Sequence, residues 1–155
     1  MNNVNLELIA KSVVDDFNSL HNSKNGIKIQ LNSDKSKSYN ILGIENRIEQ
    51  IIANLLDNSI SFSQDNQTIK VILSSDINGK NVILRVVDEG EGFKESDTSK
   101  IFKRFYSNRP NKFGEHSGLG LNIVKNLVEL HNGKISASNN VGQKGAIIEI
   151  IFPKV

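Results

Sequence analysis

One run in this chain sets a carboxylate beside two closely spaced glycines: Asp88-Glu89-Gly90-Glu91-Gly92. The apolar stretch Val82-Ile83-Leu84-Arg85-Val86-Val87 leads straight into it, so Asp88 is expected at the rim of a sheet, partly buried. A carboxylate placed there can accept a hydrogen bond from an exocyclic amine such as N6 of adenine. Gly90 and Gly92 let a backbone approach a flat ring and take positive φ without penalty, and Phe93 is counted with them as lining. The competing reading is a plain acidic turn after a strand, because short Asp-x-Gly-x-Gly matches arise by chance.

A second group lies about 25 residues further on, in Gly114-Glu115-His116-Ser117-Gly118-Leu119-Gly120-Leu121. This glycine-rich loop runs into a helix start, where free N–H groups and the positive end of the helix dipole favour phosphate. Ser117 is also a good N-cap. A cap alone does not call for Gly118 and Gly120 in the first turn, where each costs about 1 kcal/mol against Ala. The third group is the pair Asn54 and Asn58, four residues apart on one helix stripe, with Ser61 beyond them. A carboxamide oxygen is a hard ligand suited to Mg²⁺, whose other ligands are typically waters and phosphate oxygens. The competing reading is that both are solvated surface asparagines in an asparagine-rich chain.

Two common nucleotide sites are excluded. Glu95 stands where a dinucleotide fingerprint needs its third glycine, and no Gly-Lys-Ser/Thr triplet forms a P-loop. The 155 residues are the size of one domain, and 37% hydrophobic with 23% charged residues is ordinary for a globular protein. No apolar run approaches the roughly 20 residues of a membrane-spanning helix. The first residues, Met1 to Asn5, lack the basic and apolar blocks of a secretory signal. The absence of cysteine excludes disulfides, thiolate chemistry and cysteine-ligated zinc, and fits the cytoplasm. A formal charge of +2 is too small to point to nucleic acid or a membrane surface.

The elements that must position these groups follow from periodicity. Leu6, Ile9, Val13, Phe17 and Leu20 mark a first helix, ended by a loop from His21 to Gly26. Ile27 to Leu31 alternates as a strand, and Tyr39 to Leu42 is a short apolar piece. Ile44, Ile48, Ile51, Ile52, Leu55, Leu56 and Ser59 lie on one broad face of a long helix. Strands over Thr68 to Leu73 and Asn81 to Val87 join through Asn78-Gly79, a hairpin signal. A short amphipathic piece spans Ile101 to Tyr106. Leu119 to Leu130 reads as a helix stopped by Gly133 as its left-handed cap, and strands over Lys134 to Ser138 and Ala146 to Phe152 finish the chain. The expected fold is a two-layer α/β sandwich, with a mixed, mostly antiparallel sheet and helices on one face.

With these groups in this order, the whole chain resembles the catalytic ATP-binding domain of bacterial sensor histidine kinases. These belong to the superfamily of DNA gyrase B, Hsp90 and MutL. Ile51 to Ser59 looks like the family's N box, Asp88 to Gly92 like its G1 box and Ser117 to Leu121 like its G2 box. Ile101-Phe102-Lys103-Arg104-Phe105-Tyr106 looks like the F box, and Gly142 to Ala146 sits at the last glycine box. The resemblance implies about three helices on a mixed sheet (the Bergerat-type ATP-binding fold) with an ATP lid at about 107–117. It implies that Asp88 binds the adenine amine, Asn58 holds Mg²⁺ and Asn54 assists at the phosphates. Gly118 and Gly120 would hold the triphosphate, with Ser117, Leu119, Leu121 and Gly145 as further nucleotide contacts. Arg104 and Arg109 would stabilise charge on the γ-phosphate.

The implied activity is transfer of the γ-phosphoryl group to a histidine on a dimerisation domain of the same kinase, which then serves a response regulator. The implied setting is the cytoplasmic part of a membrane-anchored protein, with the isolated domain monomeric. The chain departs from the family at Ser61, where a basic residue is usual, and at His116, where Gly is frequent. His21, His116 and His131 are not followed by the acidic-basic-Pro pattern of an acceptor histidine, so the acceptor is expected outside these residues. An ATPase of the same superfamily is the alternative, but those branches place a Glu base where this chain has Asn54. A nucleotide sensor without catalysis is the other alternative.

Overall fold

The computed structural model of the protein describes residues 1–94, 98–103 and 120–155, with the backbone alone along 21–24. The chain begins with strand β1 (Asn2–Asn5) and helix α1 (Leu6–Asn25), followed by β2 (Lys28–Asn32) and β3 (Asn40–Gly43). Helix α2 (Glu45–Ser61) leads to the hairpin β4 (Thr68–Ser75) and β5 (Asn81–Val87). A 3-10 turn (Thr98–Phe102), helix α3 (Gly120–Leu130), β6 (Lys134–Asn139) and β7 (Ala146–Pro153) complete it.

Among the described residues, the main sheet has the order β2-β4-β5-β7-β6. β2 and β4 are parallel, and every other pair in that sheet is antiparallel. The Asn78-Gly79 signal is borne out: the β4–β5 turn places Gly79 at φ +69°. The period-two pattern sends Ile69, Val71 and Leu73 of β4, Val82, Leu84 and Val86 of β5, and Ile148, Ile150 and Phe152 of β7 to one face. All of them are buried there, against helices that cover that face. The mixed sheet carrying three helices is therefore as expected.

α2 is central to the core because its apolar stripe is broad. Ile48, Ile51, Ile52, Leu55 and Leu56 are each fully buried, and a side chain of that kind contributes about 1.5–3 kcal/mol through burial. The edge strand β2 is shielded by a side chain. Asn18 of α1 donates to the Ile29 carbonyl and accepts from the Ile29 N–H, both at 3.0 Å, so its carboxamide stands in for a neighbouring strand.

The sequence reading differs from the structure in three places. α1 continues through the polar stretch expected to be a loop and stops at Asn25, before Gly26 at φ +68°. The strand β1 has little alternation of its own and exists by pairing with β3. The left-handed cap of α3 is Asn132 (φ 59°), not Gly133. Gly133 instead donates to the Val128 carbonyl at 2.9 Å, completing a Schellman turn. A Cβ at Gly133 would lie 2.9 Å from the Ile151 carbonyl oxygen, which is why glycine is needed there.

Candidate functional site

Strand β5 delivers Asp88 to the end of the sheet, where it is 2% exposed. One carboxyl oxygen accepts from the Gly90 N–H at 3.0 Å and from the Ala146 N–H at 3.1 Å. The Asp88 N–H donates in turn to the Ala146 carbonyl at 3.0 Å. Asp88 is thus built into the start of β7 and also closes its own turn. Gly145 lets the two segments meet. Its φ is +132°, and a Cβ there would sit 2.0 Å from the Asp88 carbonyl oxygen.

The rest of the turn is held from both sides. Glu89 accepts from the Thr68 N–H at 2.6 Å, and its carbonyl accepts from the Gln67 side chain at 3.1 Å, tying the turn to the start of β4. Gly92 has φ +80°, the left-handed conformation that made glycine the expected residue. Phe93 is buried, and the carboxamide of Asn139, at the end of β6, holds its backbone. The Phe93 N–H donates to Asn139 Oδ1 at 2.6 Å, and Asn139 Nδ2 donates to the Phe93 carbonyl at 2.9 Å. Gly90, Gly92, Phe93 and Gly145 therefore assemble around Asp88.

Asn54 and Asn58 are half-buried on α2, at the margin of its apolar stripe. The relation of α2 to α3 is set by His131. Its Nε2 accepts from the Ile44 N–H at 3.1 Å, so its Nδ1 carries the proton and donates to the Leu127 carbonyl at 2.7 Å. That bond ties the start of α2 to the end of α3, and the two helices are in contact. α3 is 11 residues long, about 16 Å. Gly120 is its first residue. Leu121, next on α3, packs half-buried against the core.

Ser61, the residue at the usual basic position, turns its hydroxyl back to the Asn58 carbonyl at 2.8 Å. The last turn of α2 carries no basic side chain. Arg104, Arg109, Ser117, Gly118, Leu119 and the expected lid at about 107–117 lie outside the described residues. Thr98 donates from its hydroxyl to the Ala137 carbonyl at 2.5 Å, and Asn122 from its carboxamide to the Phe102 carbonyl at 3.0 Å. These bonds fix the 3-10 turn between β6 and α3, with Ile101 and Phe102 in the core. Asn139, Asn122, Thr98 and His131 were not singled out as site-building residues from the sequence, and nothing in their local sequence marks them.

A family model described as histidine kinase-, DNA gyrase B-, and HSP90-like ATPase matches residues 43–155. The chain belongs to this family. Within it, the chain stands with the sensor histidine kinases. It is 34% identical over 151 residues to the sensor protein ChvG of Agrobacterium fabrum, covering 93% of this chain and 25% of that protein. It is 30% identical over 151 residues to the sensor protein kinase PmrB of Pseudomonas aeruginosa, covering 97% of this chain and 30% of that one. The chain thus spans about a quarter of the length of the curated relatives it matches. Among solved structures, the catalytic domain of histidine kinase ThkA superposes with a TM-score of 0.83 at 26% identity, over 99% of this chain and 95% of that one. The mycobacterial sensor histidine kinase MprB shares the fold at a TM-score of 0.85 and 21% identity, over 98% and 97% of the two chains. Among the described residues, this family member has no helix long and apolar enough to cross a membrane.

Proposed function

We propose that this chain binds Mg²⁺·ATP and passes the γ-phosphoryl group to a histidine on a dimerisation domain of the same kinase, feeding a response regulator. The observation that carries this reading is the Asp88 turn. A buried carboxyl is fixed by the Gly90 and Ala146 N–H groups beside glycines whose backbone a flat base can approach. Asp88 then accepts from the adenine amine, while Gly90, Gly92 and Phe93 line the base.

The phosphates lie toward the start of α3, held by Ser117, Gly118, Leu119, Gly120 and Leu121. Asn58 ligates magnesium, and Asn54 orients phosphate or its water shell. The residues present fit that ion. Amide oxygens are hard ligands, and the C-terminal end of α2, without a basic side chain, favours a cation. Magnesium would neutralise charge on the phosphates. Arg104 and Arg109 add positive charge near the γ-phosphate. In the transfer, the acceptor histidine nitrogen bonds to the γ-phosphorus as the bond to the β–γ bridging oxygen breaks, and ADP leaves. The protein contributes positioning and charge stabilisation. The setting that goes with this reading is the cytoplasmic part of an anchored kinase, with the isolated domain a monomer.

Thermal melting with and without Mg²⁺·ATP tests the reading. At 100-fold over its Kd, a ligand that binds only the folded state stabilises it by about 2.7 kcal/mol. For a chain of this size that is about 5–10 °C. No shift with ATP or ADP refutes the proposal.

One observation favours a nucleotide sensor instead: the Ser61 hydroxyl is engaged with the Asn58 carbonyl and offers no charge to a phosphate. Mixing the chain with a dimerisation domain and following γ-phosphate label separates the two readings. Binding without transfer selects the sensor.

A further inference from the structure

The turn from Asp88 to Phe93 is anchored at its first half by its own carboxylates. Asp88 and Glu89 reach the N–H groups of Gly90, Ala146 and Thr68. The second half is anchored from another strand, by Asn139. The amide edge of Asn139 matches both polar groups of one residue, at 2.6 and 2.9 Å to Phe93. The contact is also tight at Gly92. A Cβ there would lie 2.7 Å from Asn139 Oδ1 and 3.1 Å from the Gly145 carbonyl oxygen, so the Gly92 backbone is pressed between β6 and the approach to β7. Asn139 itself is exposed. The pair is nonetheless part-buried, and Phe93 is 5% exposed, so it adds to folding stability as well. It fixes where the backbone of Gly92 and Phe93 stands relative to Asp88.

We propose that Asn139 is a positioning residue for the base end of the site: by holding Gly92 and Phe93 it fixes where that wall stands relative to Asp88, and so sets preference for adenine over guanine nucleotides. This rests on the nucleotide reading given above. Asp88 recognises an amine and repels a carbonyl oxygen at the same place, but only if the ring cannot shift. Once the far wall relaxes, a purine can move away from the carboxyl. The favourable contact with adenine weakens, and the unfavourable one with guanine is relieved.

The test uses Asn139→Leu, close in size and without either hydrogen bond, and Asn139→Asp, which keeps an oxygen for the Phe93 N–H but loses the donor to its carbonyl. Affinities for Mg²⁺·ATP and Mg²⁺·GTP are measured by titration, with the melting temperature of each nucleotide-free protein. The expected result is that N139L stays folded and melts a few degrees below the parent protein. It binds ATP about three- to tenfold more weakly, the loss of one or two ordinary hydrogen bonds. Its preference for ATP over GTP falls by at least that factor, with N139D between. Unchanged ATP binding in N139L overturns the proposal, and so does an equal loss for both nucleotides. Failure of the parent protein to bind ATP overturns the nucleotide reading itself, and this proposal with it.

Discussion

Replacing Asp88 by asparagine separates what the side chain does for the fold from what it does for a ligand. In the protein, one Asp88 oxygen accepts from both the Gly90 and the Ala146 N–H groups. The carboxamide of the Asp88→Asn variant would keep an oxygen of the same geometry, so both backbone donors stay satisfied and the turn keeps its shape. The other carboxyl oxygen becomes an NH₂ group, which cannot accept from an adenine amine and meets it donor to donor. A hydrogen bond to a charged group contributes about 1.5–3 kcal/mol, or roughly ten- to hundredfold in affinity. Asp88→Ala is different. It leaves two buried donors unpaired, each costing about 1–3 kcal/mol, and should lower the melting temperature by several degrees before any ligand is added. The assay is Mg²⁺·ATP titration alongside melting of both variants. D88N should melt near the parent protein and bind ATP at least about tenfold more weakly. D88N binding ATP like the parent protein would show that Asp88 is a structural turn residue and that the base is recognised elsewhere.

Other substitutions divide the site in the same way. Gly145→Ala places a Cβ 2.0 Å from the Asp88 carbonyl at φ +132°. Backbone strain of about 1–3 kcal/mol and a similar overpacking term should lower its melting temperature by at least about 5 °C. Gly120→Ala is the opposite case, since a Cβ there meets nothing within 4 Å among the described residues. It should hold or gain up to about 1 kcal/mol of helix stability while ATP affinity drops; a stabilised variant with unchanged affinity would reduce this helix start to a cap. Three carboxyls are held below their ordinary values: Glu7 by the Ser33 hydroxyl and Lys35, Asp34 by Ser36, and Asp76 by Asn81 and the N–H groups of its hairpin turn. Their folded-state values are depressed, so the unfolded chain binds more protons in acid. Their contribution is complete above 4.5 for Glu7 and 3.8 for the aspartates, and is lost as pH falls through the folded values. Urea midpoints at pH 7 and 3 should differ in that direction, and Asp76→Asn should reduce the difference.

The base end is pre-formed by the protein's own hydrogen bonds, and this has a consequence for how a nucleotide would bind. Asp88, Glu89 and Asn139 fix the turn before any ligand arrives, so little ordering entropy is left to be lost there. At the phosphate end of the proposed site, the described groups are Asn54, Asn58 and Gly120. The buried imidazole of His131 joins the start of α2 to the end of α3.

How much of this was legible in the sequence depended on whether a residue's task is local. α2 announces itself because its apolar residues recur every three or four positions, and the Asn78-Gly79 hairpin because the turn needs a residue with positive φ. Asp88 was legible because a strand ends at it and glycines follow at once. Asn139 carries no such mark. Asn18 and Asn139 perform the same act, pairing a carboxamide with the N–H and carbonyl of one distant residue, across 11 and 46 positions. Neither spacing repeats, and in a chain rich in asparagine neither residue type is informative. The helix ends show the same limit at short range. Asn132 and Gly133 both tolerate positive φ, and only the packing of Gly133 against Ile151 and Phe152 decides which of them takes it. Periodicity thus finds the elements and the glycines point to a candidate site, but the side chains that hold the Asp88 turn in place are defined by contacts between strands, which a one-dimensional pattern does not contain.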